Sequence, residues 1–294
     1  MACITRREAS KCLAAGVAGL LMPGVCRSGE MVNSTVRGVL IGAQSFSFRT
    51  LSLNECLNAY RRVGLGECEL WENTLGQPKD SLEEHLAWLQ SQPLNRFESV
   101  RKQFDDAGIR LYAWNCSFRK GMTDQQVDLG FRIANALGVR YITSSANVSM
   151  VPRVDAFAQQ YKISVGFHGH DKTDDPDEFS TADTFARALN GASRYMGVNL
   201  DIGHFIAAGG DPVAYLREHH NRIVTLHIKD RKKNHGPNVP FGEGDTPIVA
   251  VLHLLRDNQW KIPANIEYEY GTPAMDTVAE MMKCYEYCRQ ALEN

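Results

Sequence analysis

Eight short β-rich apolar runs, separated by stretches of helical periodicity, constrain the fold of this chain more than any other feature. The runs cover residues 39–43, 67–71, 109–114, 141–144, 164–167, 197–201, 223–228 and 264–268. Several are nearly continuous in apolar residues, which is typical of parallel strands covered on both faces. Stretches between them, among them 53–63, 126–137, 182–192, 212–219, 246–257 and 275–292, carry apolar residues at helical spacing.

Strands that alternate with helices indicate a parallel sheet built from right-handed crossovers. Eight such units fit the roughly 250 residues of a closed barrel. The rival is an open doubly wound sheet, which predicts a glycine-rich phosphate loop after the first strand, and Gly42-Ala43-Gln44-Ser45 is no such loop. We therefore predict a single (β/α)₈ TIM barrel over residues 36–294, with helices ending at Gly108 and Gly138.

The first 35 residues are expected to be a leader. Paired arginines, Arg6 and Arg7, precede a short apolar stretch over residues 12–22, as in a twin-arginine export signal. The stretch is shorter than the ~20 residues that span a bilayer, so no stable membrane anchor is expected. This interpretation places the mature domain in the periplasm; the alternative is a tail with a chance arginine pair on a cytoplasmic protein.

Composition excludes some classes of partner. The formal net charge is −2, from 32 basic and 34 acidic residues, which gives no attraction to nucleic acid or to an anionic membrane. The eight cysteines show no C-x-x-C pair and are interpreted as buried free thiols. A small-molecule partner is expected, and a homo-oligomer is left open.

Four consecutive strands end in groups that bind metals or move protons. The sequence motifs at these strand ends are His168-Gly169-His170, Asp201-Ile202-Gly203-His204, His227-Ile228-Lys229 and Ile266-Glu267. Function in a barrel collects at this end of the strands, and charged groups there cost several kcal/mol unless paired or metal-bound. Mixed imidazole and carboxylate ligands suit Mn²⁺, Zn²⁺, Fe²⁺ or Co²⁺, whereas Ca²⁺ prefers oxygen alone. The cluster predicts one divalent metal ion.

At these words the chain resembles the sugar phosphate isomerase/epimerase superfamily, the xylose isomerase-like TIM barrels that also include endonuclease IV (AP endonuclease family 2). The motifs that carry the resemblance are residues 199–204, 227–230, 242–244 and 266–268, and the resemblance covers residues 39–292. The resemblance implies Asp201, His227 and Glu267 as metal ligands and His204 beside the substrate. Endonuclease IV-like sites use more histidines than this chain supplies, so a nuclease is disfavoured.

The chain departs from the epimerases of this superfamily at the end of the fifth strand. They usually carry a metal-binding glutamate there, whereas this chain has His168. His168-Gly169-His170 resembles the His-Asn-His word of a subgroup, which implies His168 as the fourth ligand and His170 as a substrate contact. Glu267 then remains as the catalytic base, with His204 or His170 as the acid, and the two-glutamate epimerase scheme is in doubt.

Other candidates lie at neighbouring strand ends. Glu69 could bind a sugar hydroxyl, orient a ligand histidine, or form a salt bridge at the barrel mouth. Trp71 and Trp114 could stack on sugar C–H faces or belong to the core. Asn115 could bond a hydroxyl, and Lys229 could neutralise an enediolate or pair with Asp230. Residues 231–233 are interpreted as a solvated basic loop, and Asp245 is expected to cap the following helix.

The function predicted first is a divalent-metal-dependent sugar isomerase or epimerase, with Mn²⁺ as the first choice of metal, that abstracts a proton next to a carbonyl. Its enzymatic alternative is a lyase or hydrolase of oxidised (3-keto) glycosides. Export would favour free sugars over sugar phosphates. The alternative of another class is a non-catalytic sugar-binding barrel.

Overall fold

Eight parallel strands close into one barrel in the computed structural model, which describes residues 30–76, 81–272 and 274–294. The strands are β2 (Val39–Gln44), β3 (Glu67–Trp71), β4 (Arg110–Asn115), β5 (Tyr141–Ser144), β6 (Ser164–His168), β7 (Met196–Asp201), β8 (Ile223–Ile228) and β9 (Ala264–Ile266). Each pairs with the next along the chain, and β9 pairs back to β2. The prediction of a (β/α)₈ barrel is confirmed, with strand ends correct to within two residues.

Helices surround this barrel. They are α1 (Leu53–Val63), α2 (Leu82–Ser91), α3 (Leu94–Ala107), α4 (Asp124–Ala136), α5 (Val151–Tyr161), α6 (Ala182–Leu189), α7 (Ile202–Ala207), α8 (Pro212–His219), α9 (Ile248–Asp257) and α10 (Thr277–Glu293). Helices α2, α5 and α7 were not predicted. Helix α2 buries only Leu86 and Leu89, and α7 spans six residues, so neither has a clear periodic pattern.

Local signals in the sequence set several helix ends. Helix α1 begins at a capping box formed by Ser52 and Glu55, and α3 ends at Gly108, whose φ is 69°. The prediction for Asp245 was wrong, because α9 is preceded by Pro247 and has no side-chain cap. The Asp245 carboxylate instead accepts the backbone N–H of Lys233 at 2.9 Å.

The strand register divides side chains between the barrel interior and the helix-facing surface. Leu70, Trp114 and Ile142 lie level on the outer face, where they pack beneath helices. Alternate positions point inward and are largely polar, in contrast to the branched apolar side chains that usually fill a barrel of this type. The inward and buried polar residues include Gln44, Glu67, Glu69, Thr143, Asn199, Thr225, His227 and Asn265.

The packed domain begins before Val36. Strand β1 (Thr35–Val36) pairs antiparallel with β2, and the Val32 N–H donates to Gly108 O at 2.8 Å. Ser34 donates to Ile41 O at 2.6 Å and accepts the Gly66 N–H at 2.9 Å. The arginine pair of the predicted leader lies outside the described residues, and among the helices that are described none is long and apolar enough to cross a membrane.

The thiols that the structure describes are free and buried, as expected from the sequence. They are Cys56, Cys68, Cys116, Cys284 and Cys288. Burial raises the pKa of the Cys56 and Cys284 thiols to about 12. These side chains therefore pack as small apolar groups and are not reactive nucleophiles. The remaining three, Cys3, Cys12 and Cys26, lie outside the described residues.

Candidate metal centre

Four buried side chains converge at the C-terminal mouth of the barrel. His168 ends β6, Asp201 ends β7, His227 lies in β8, and Glu267 follows β9. One ligand atom from each lies within 4.8 Å of the other three. His168 Nε2 is 3.3 Å from Asp201 Oδ2 and 4.0 Å from Glu267 Oε2, and His227 Nδ1 is 3.8 Å and 3.2 Å from the same two oxygens. The structure thus brings together the four predicted ligands.

These separations suit one small divalent cation. Metal–ligand bonds of ~2.0–2.2 Å to nitrogen and carboxylate oxygen place ligand atoms roughly 3–4 Å apart around a shared ion. Two imidazoles with two carboxylates form a donor set for Mn²⁺, Zn²⁺, Fe²⁺ or Co²⁺. In addition, His227 Nδ1 and Glu267 Oε2 are buried, and among the described residues neither makes a hydrogen bond of good geometry; the two atoms lie 3.2 Å from each other, and Lys229 Nζ lies 2.8 Å from Glu267 Oε2. A buried ring nitrogen and carboxylate oxygen placed in this way can share a cation, so the residues fit a metal.

Negative charge is concentrated at this centre. Burial alone would raise the pKa of Asp201 and of Glu267, but the Lys229 ammonium and nearby imidazoles hold both values well below their ordinary range. Both carboxylates are therefore ionised at neutral pH, as metal ligands must be.

Lys229 belongs to the centre itself. Its side chain is buried, and Nζ lies 3.0 Å from Asp201 Oδ2, 2.8 Å from Glu267 Oε2 and 2.5 Å from Glu269 Oε2. The alternative pairing with Asp230 was wrong: that carboxylate accepts backbone N–H groups of the loop before α9, including those of Gly242 and Gly244.

Glu69 orients His227 and is sealed from the mouth. Its Oε2 lies 3.0 Å from His227 Nε2, and its Oε1 accepts Gln44 Nε2 at 2.9 Å and Thr143 Oγ1 at 2.6 Å. Burial would raise the pKa of Glu69, but the His227 ring and these donors lower it, so the carboxylate is ionised. The Nε2 hydrogen then faces Glu69 and leaves Nδ1 toward the ligand cluster. The assignment of Glu69 as a substrate contact was wrong. Its second predicted role, orienting a ligand histidine, fits these contacts.

His204 is held by two cations. It lies in α7, and its backbone N–H donates to Asp201 Oδ1 at 2.7 Å. Arg231 Nη1 is 2.6 Å from its Nδ1, and Lys229 Nζ is 3.1 Å from its Nε2. Arg231 also pairs with Asp171 at 3.0 Å and is only 8% exposed, so its interpretation as part of a solvated loop was wrong. The sequence analysis missed Arg231 and Asp171 as site residues, although both lie just after the motifs at strand ends.

His170 lies beside the ligands and reaches the solvent-accessible mouth. Its ring meets the His168 ring edge to face at 4.9 Å, and its Nδ1 is 3.4 Å from Glu178 Oε2. Burial lowers the pKa of His170, although Glu178 opposes this effect. A neutral imidazole at this place can accept a proton, and the imidazolium that forms can return it.

The two predicted tryptophan contacts differ. Trp114 is 0% exposed, and its ring lies 6.5 Å from that of Phe97 on α3, so its assignment as a substrate contact was wrong and it is a core residue. Trp71 is partly exposed at the end of β3, where it packs edge to face on Phe46. Asn115 is buried and donates to Thr143 Oγ1 at 3.0 Å, so it supports the Glu69 network rather than an accessible hydroxyl site.

The described geometry, a barrel with a His/Asp/His/Glu cluster at its C-terminal mouth, agrees with a family comparison. The sequence model of the xylose isomerase-like TIM barrel family matches residues 60–288. The chain belongs to this family. Membership of this family confirms the resemblance that was inferred from the motifs at the strand ends.

Individual proteins that are similar to this chain are distant in sequence. L-ribulose-5-phosphate 3-epimerase UlaE of Shigella boydii is 32% identical over 89 residues, which is 30% of this chain and 31% of that protein. A sugar phosphate isomerase/epimerase from Parabacteroides distasonis is 17% identical with a TM-score of 0.61, covering 88% of this chain and 96% of the other. A xylose isomerase domain containing protein from Salmonella typhimurium is 12% identical with a TM-score of 0.67, covering 88% and 99%. The two structures share the fold with this xylose isomerase-like barrel.

Proposed function

We propose that this xylose isomerase-like barrel is a divalent-metal-dependent carbohydrate isomerase or epimerase that begins by removing a proton next to a carbonyl. The observation that carries the proposal is the convergence of His168, Asp201, His227 and Glu267 within 4.8 Å at the barrel mouth. Family membership and the partial match to a pentulose-phosphate epimerase support a carbohydrate substrate. The metal proposed first is Mn²⁺, with Zn²⁺, Fe²⁺ or Co²⁺ as alternatives.

A bound divalent cation supplies Lewis-acid polarisation of the substrate carbonyl. Glu267 is the catalytic base in this proposal, because its carboxylate is ionised and lies at the mouth. Lys229 lies 2.8 Å from Glu267 and places a fixed positive charge where an enediolate develops negative charge. Buried polar side chains fill the barrel interior below the four-residue cluster, so in this proposal a sugar enters from the mouth.

Proton return falls to a histidine in this scheme. No second glutamate occupies the end of β6, where His168 stands, so the two faces of the substrate meet different groups. His170, which takes a proton from solvent at the mouth before it donates one, is the better acid of the two candidates. It reaches the mouth, whereas Nε2 of His204 faces Lys229 and its Nδ1 faces both Arg231 and, at 3.3 Å, the Asp171 carboxylate. We assign His204, with Arg231 and Asp171, to binding substrate oxygens.

This asymmetry also supports a second candidate, β-elimination from a 3-keto glycoside. Elimination needs one base and one acid on a leaving group, which Glu267 and His170 could provide. Isomerisation, epimerisation and elimination share the first proton abstraction and differ in where a proton is returned or a group is lost. Product analysis therefore separates them.

The deciding experiment is solvent-deuterium incorporation followed by NMR. Purified Mn²⁺-loaded protein is incubated in D₂O with ketoses, aldoses and 3-keto glycosides, beside Asp201→Asn and the exposed-site control Glu98→Gln. We expect deuterium at a carbon next to the carbonyl with wild type and Glu98→Gln, and none after chelation or with Asp201→Asn. Absence of exchange on metal-loaded wild type, with sugar binding that survives chelation, would support a non-catalytic sugar-binding barrel.

We also propose export by the twin-arginine route, which rests on Arg6 and Arg7. A periplasmic enzyme would meet free sugars or glycosides rather than phosphorylated intermediates. Replacing both arginines by lysine should abolish recovery of the protein in the periplasmic fraction. Unchanged recovery would disprove this route.

A further inference from the structure

A buried glutamate lies inside the barrel below the metal centre. Glu67 is 0% exposed, and within the described part of the chain neither of its carboxyl oxygens makes a hydrogen bond of standard geometry. The same holds for Asn265 Oδ1. A Cβ atom on Gly42 would lie 1.7 Å from Glu67 Oε2 and 2.3 Å from Asn265 Oδ1, so these two oxygens are at most about 4 Å apart in the space beside the glycine. Two lone-pair acceptors this close repel unless one carries a hydrogen.

The orientation of Asn265 is determined by its other neighbours. Thr225 Oγ1 lies 3.2 Å from Pro263 O, which can only accept, so the threonine hydroxyl donates there. Its oxygen then accepts from Asn265 Nδ2 at 3.1 Å. The same Nδ2 lies 3.4 Å from the Glu69 carboxylate. Both amide hydrogens are therefore directed away from Glu67, and only Oδ1 faces it.

We propose that Glu67 is a protonated carboxylic acid that donates its O–H hydrogen to Asn265 Oδ1 and thereby acts as a positioning residue for His227. The connection runs from Glu67 to Asn265, from the Asn265 amide to Glu69, and from Glu69 to His227 Nε2 at 3.0 Å. It explains why the barrel keeps a polar interior here instead of branched apolar side chains. The positioning half of the inference rests on the proposed metal centre, whereas the protonation half does not.

Charges around Glu67 agree with a neutral carboxyl. Burial raises the pKa of Glu67 well above its ordinary value, and the Glu69 carboxylate raises it further. Arg110, the Asn265 side chain and His227 oppose this effect but do not overcome it. The remaining titratable neighbours, Tyr60, Tyr112 and Cys68, carry no charge at neutral pH because burial raises the pKa of both phenols and of the thiol.

Protonation is tested by comparing the pH dependence of stability of the metal-free protein and of Glu67→Gln, with Glu98→Gln as the exposed control. A group whose pKa is raised on folding stabilises most below its unfolded value, ~4.3 for Glu, and loses that contribution as pH rises. The unfolding equilibrium constant of wild type should therefore increase by about tenfold per pH unit relative to Glu67→Gln above this value. Parallel curves would overturn protonation. A carboxylic-acid carbonyl band in the infrared difference spectrum of wild type minus Glu67→Gln is the second expected signature, and its absence would also overturn it.

Positioning is tested with Mn²⁺ alone by calorimetry. Glu67→Gln keeps an N–H donor toward Asn265 Oδ1 and should bind Mn²⁺ within about twofold of wild type, whereas Glu67→Leu should bind about tenfold more weakly, as for loss of an outer hydrogen bond at a metal site. Circular dichroism checks that Glu67→Leu folds, and Glu67→Val serves if it does not. Equal affinity of folded Glu67→Leu and wild type would overturn positioning. If wild type itself binds no Mn²⁺, the metal centre fails while the pH test still decides protonation.

Discussion

Replacing Glu69 by glutamine tests how far the metal centre depends on a residue that is closed off from the mouth. The Glu69 carboxylate accepts from His227 Nε2 at 3.0 Å, from Gln44 at 2.9 Å and from Thr143 at 2.6 Å. Glutamine has nearly the same shape but carries an NH₂ group on one side and no negative charge. The NH₂ group of the glutamine then points at neighbouring groups that are themselves hydrogen-bond donors. In addition, the His227 ring loses its ionic partner.

The expected size follows from these contacts. Loss of an outer partner of a metal-bound histidine typically lowers metal affinity by about 10- to 100-fold, which is ~1.4–2.8 kcal/mol at ~1.4 kcal/mol per tenfold. Mismatched buried donors should also lower the free energy of unfolding of the metal-free protein by about 1–3 kcal/mol.

Calorimetric titration with Mn²⁺ and denaturant unfolding of Glu69→Gln measure the two effects. Glu98→Gln makes the same chemical change on the exposed face of α3 and should leave both quantities unchanged. A Glu69→Gln protein that binds Mn²⁺ within twofold of wild type would refute the role of Glu69 in orienting His227.

Four further predictions concern the rest of the site. Asp201→Asn retains an oxygen to accept the His204 N–H but should lower Mn²⁺ affinity at least ~100-fold, because a ligand charge is lost; stoichiometric metal in the purified variant would contradict the ligand assignment. Trp114→Ala should destabilise the fold by about 3–5 kcal/mol, measured by urea unfolding, while Trp71→Ala should change stability far less; similar losses would contradict their different burial. Arg231→Lys should lower kcat/KM at least ~10-fold with Mn²⁺ affinity kept, because one ammonium cannot hold both His204 and Asp171; unchanged kinetics would remove Arg231 from the substrate site. The hydrogen bond to His204 and the Arg231 guanidinium lower the pKa of Asp171, so wild type should lose stability relative to Asp171→Asn as pH falls below ~4, and parallel stability curves would refute this pair.

The sequence by itself determined the barrel and the candidate metal ligands. Parallel strands buried on both faces must be apolar at outward positions, so eight runs were recognisable and their ends were correct within two residues. The four candidate ligands were recognisable because His168, Asp201, His227 and Glu267 each lie within one residue of the end of such a run, where apolar sequence gives way to a charged or imidazole group.

Only the tertiary structure decided which side of a strand each residue occupies and what it meets across the barrel. Trp114 and Asn115 are neighbours in sequence, yet one packs under α3 and the other points inward, because side chains alternate along a strand. Glu69 and His227 are 158 positions apart, and their contact exists only because the barrel closes. Arg231 looked like part of a solvated basic run until folding placed it on Asp171 and His204. Pairings across the barrel depend on strand register and closure, which no local pattern of residues encodes.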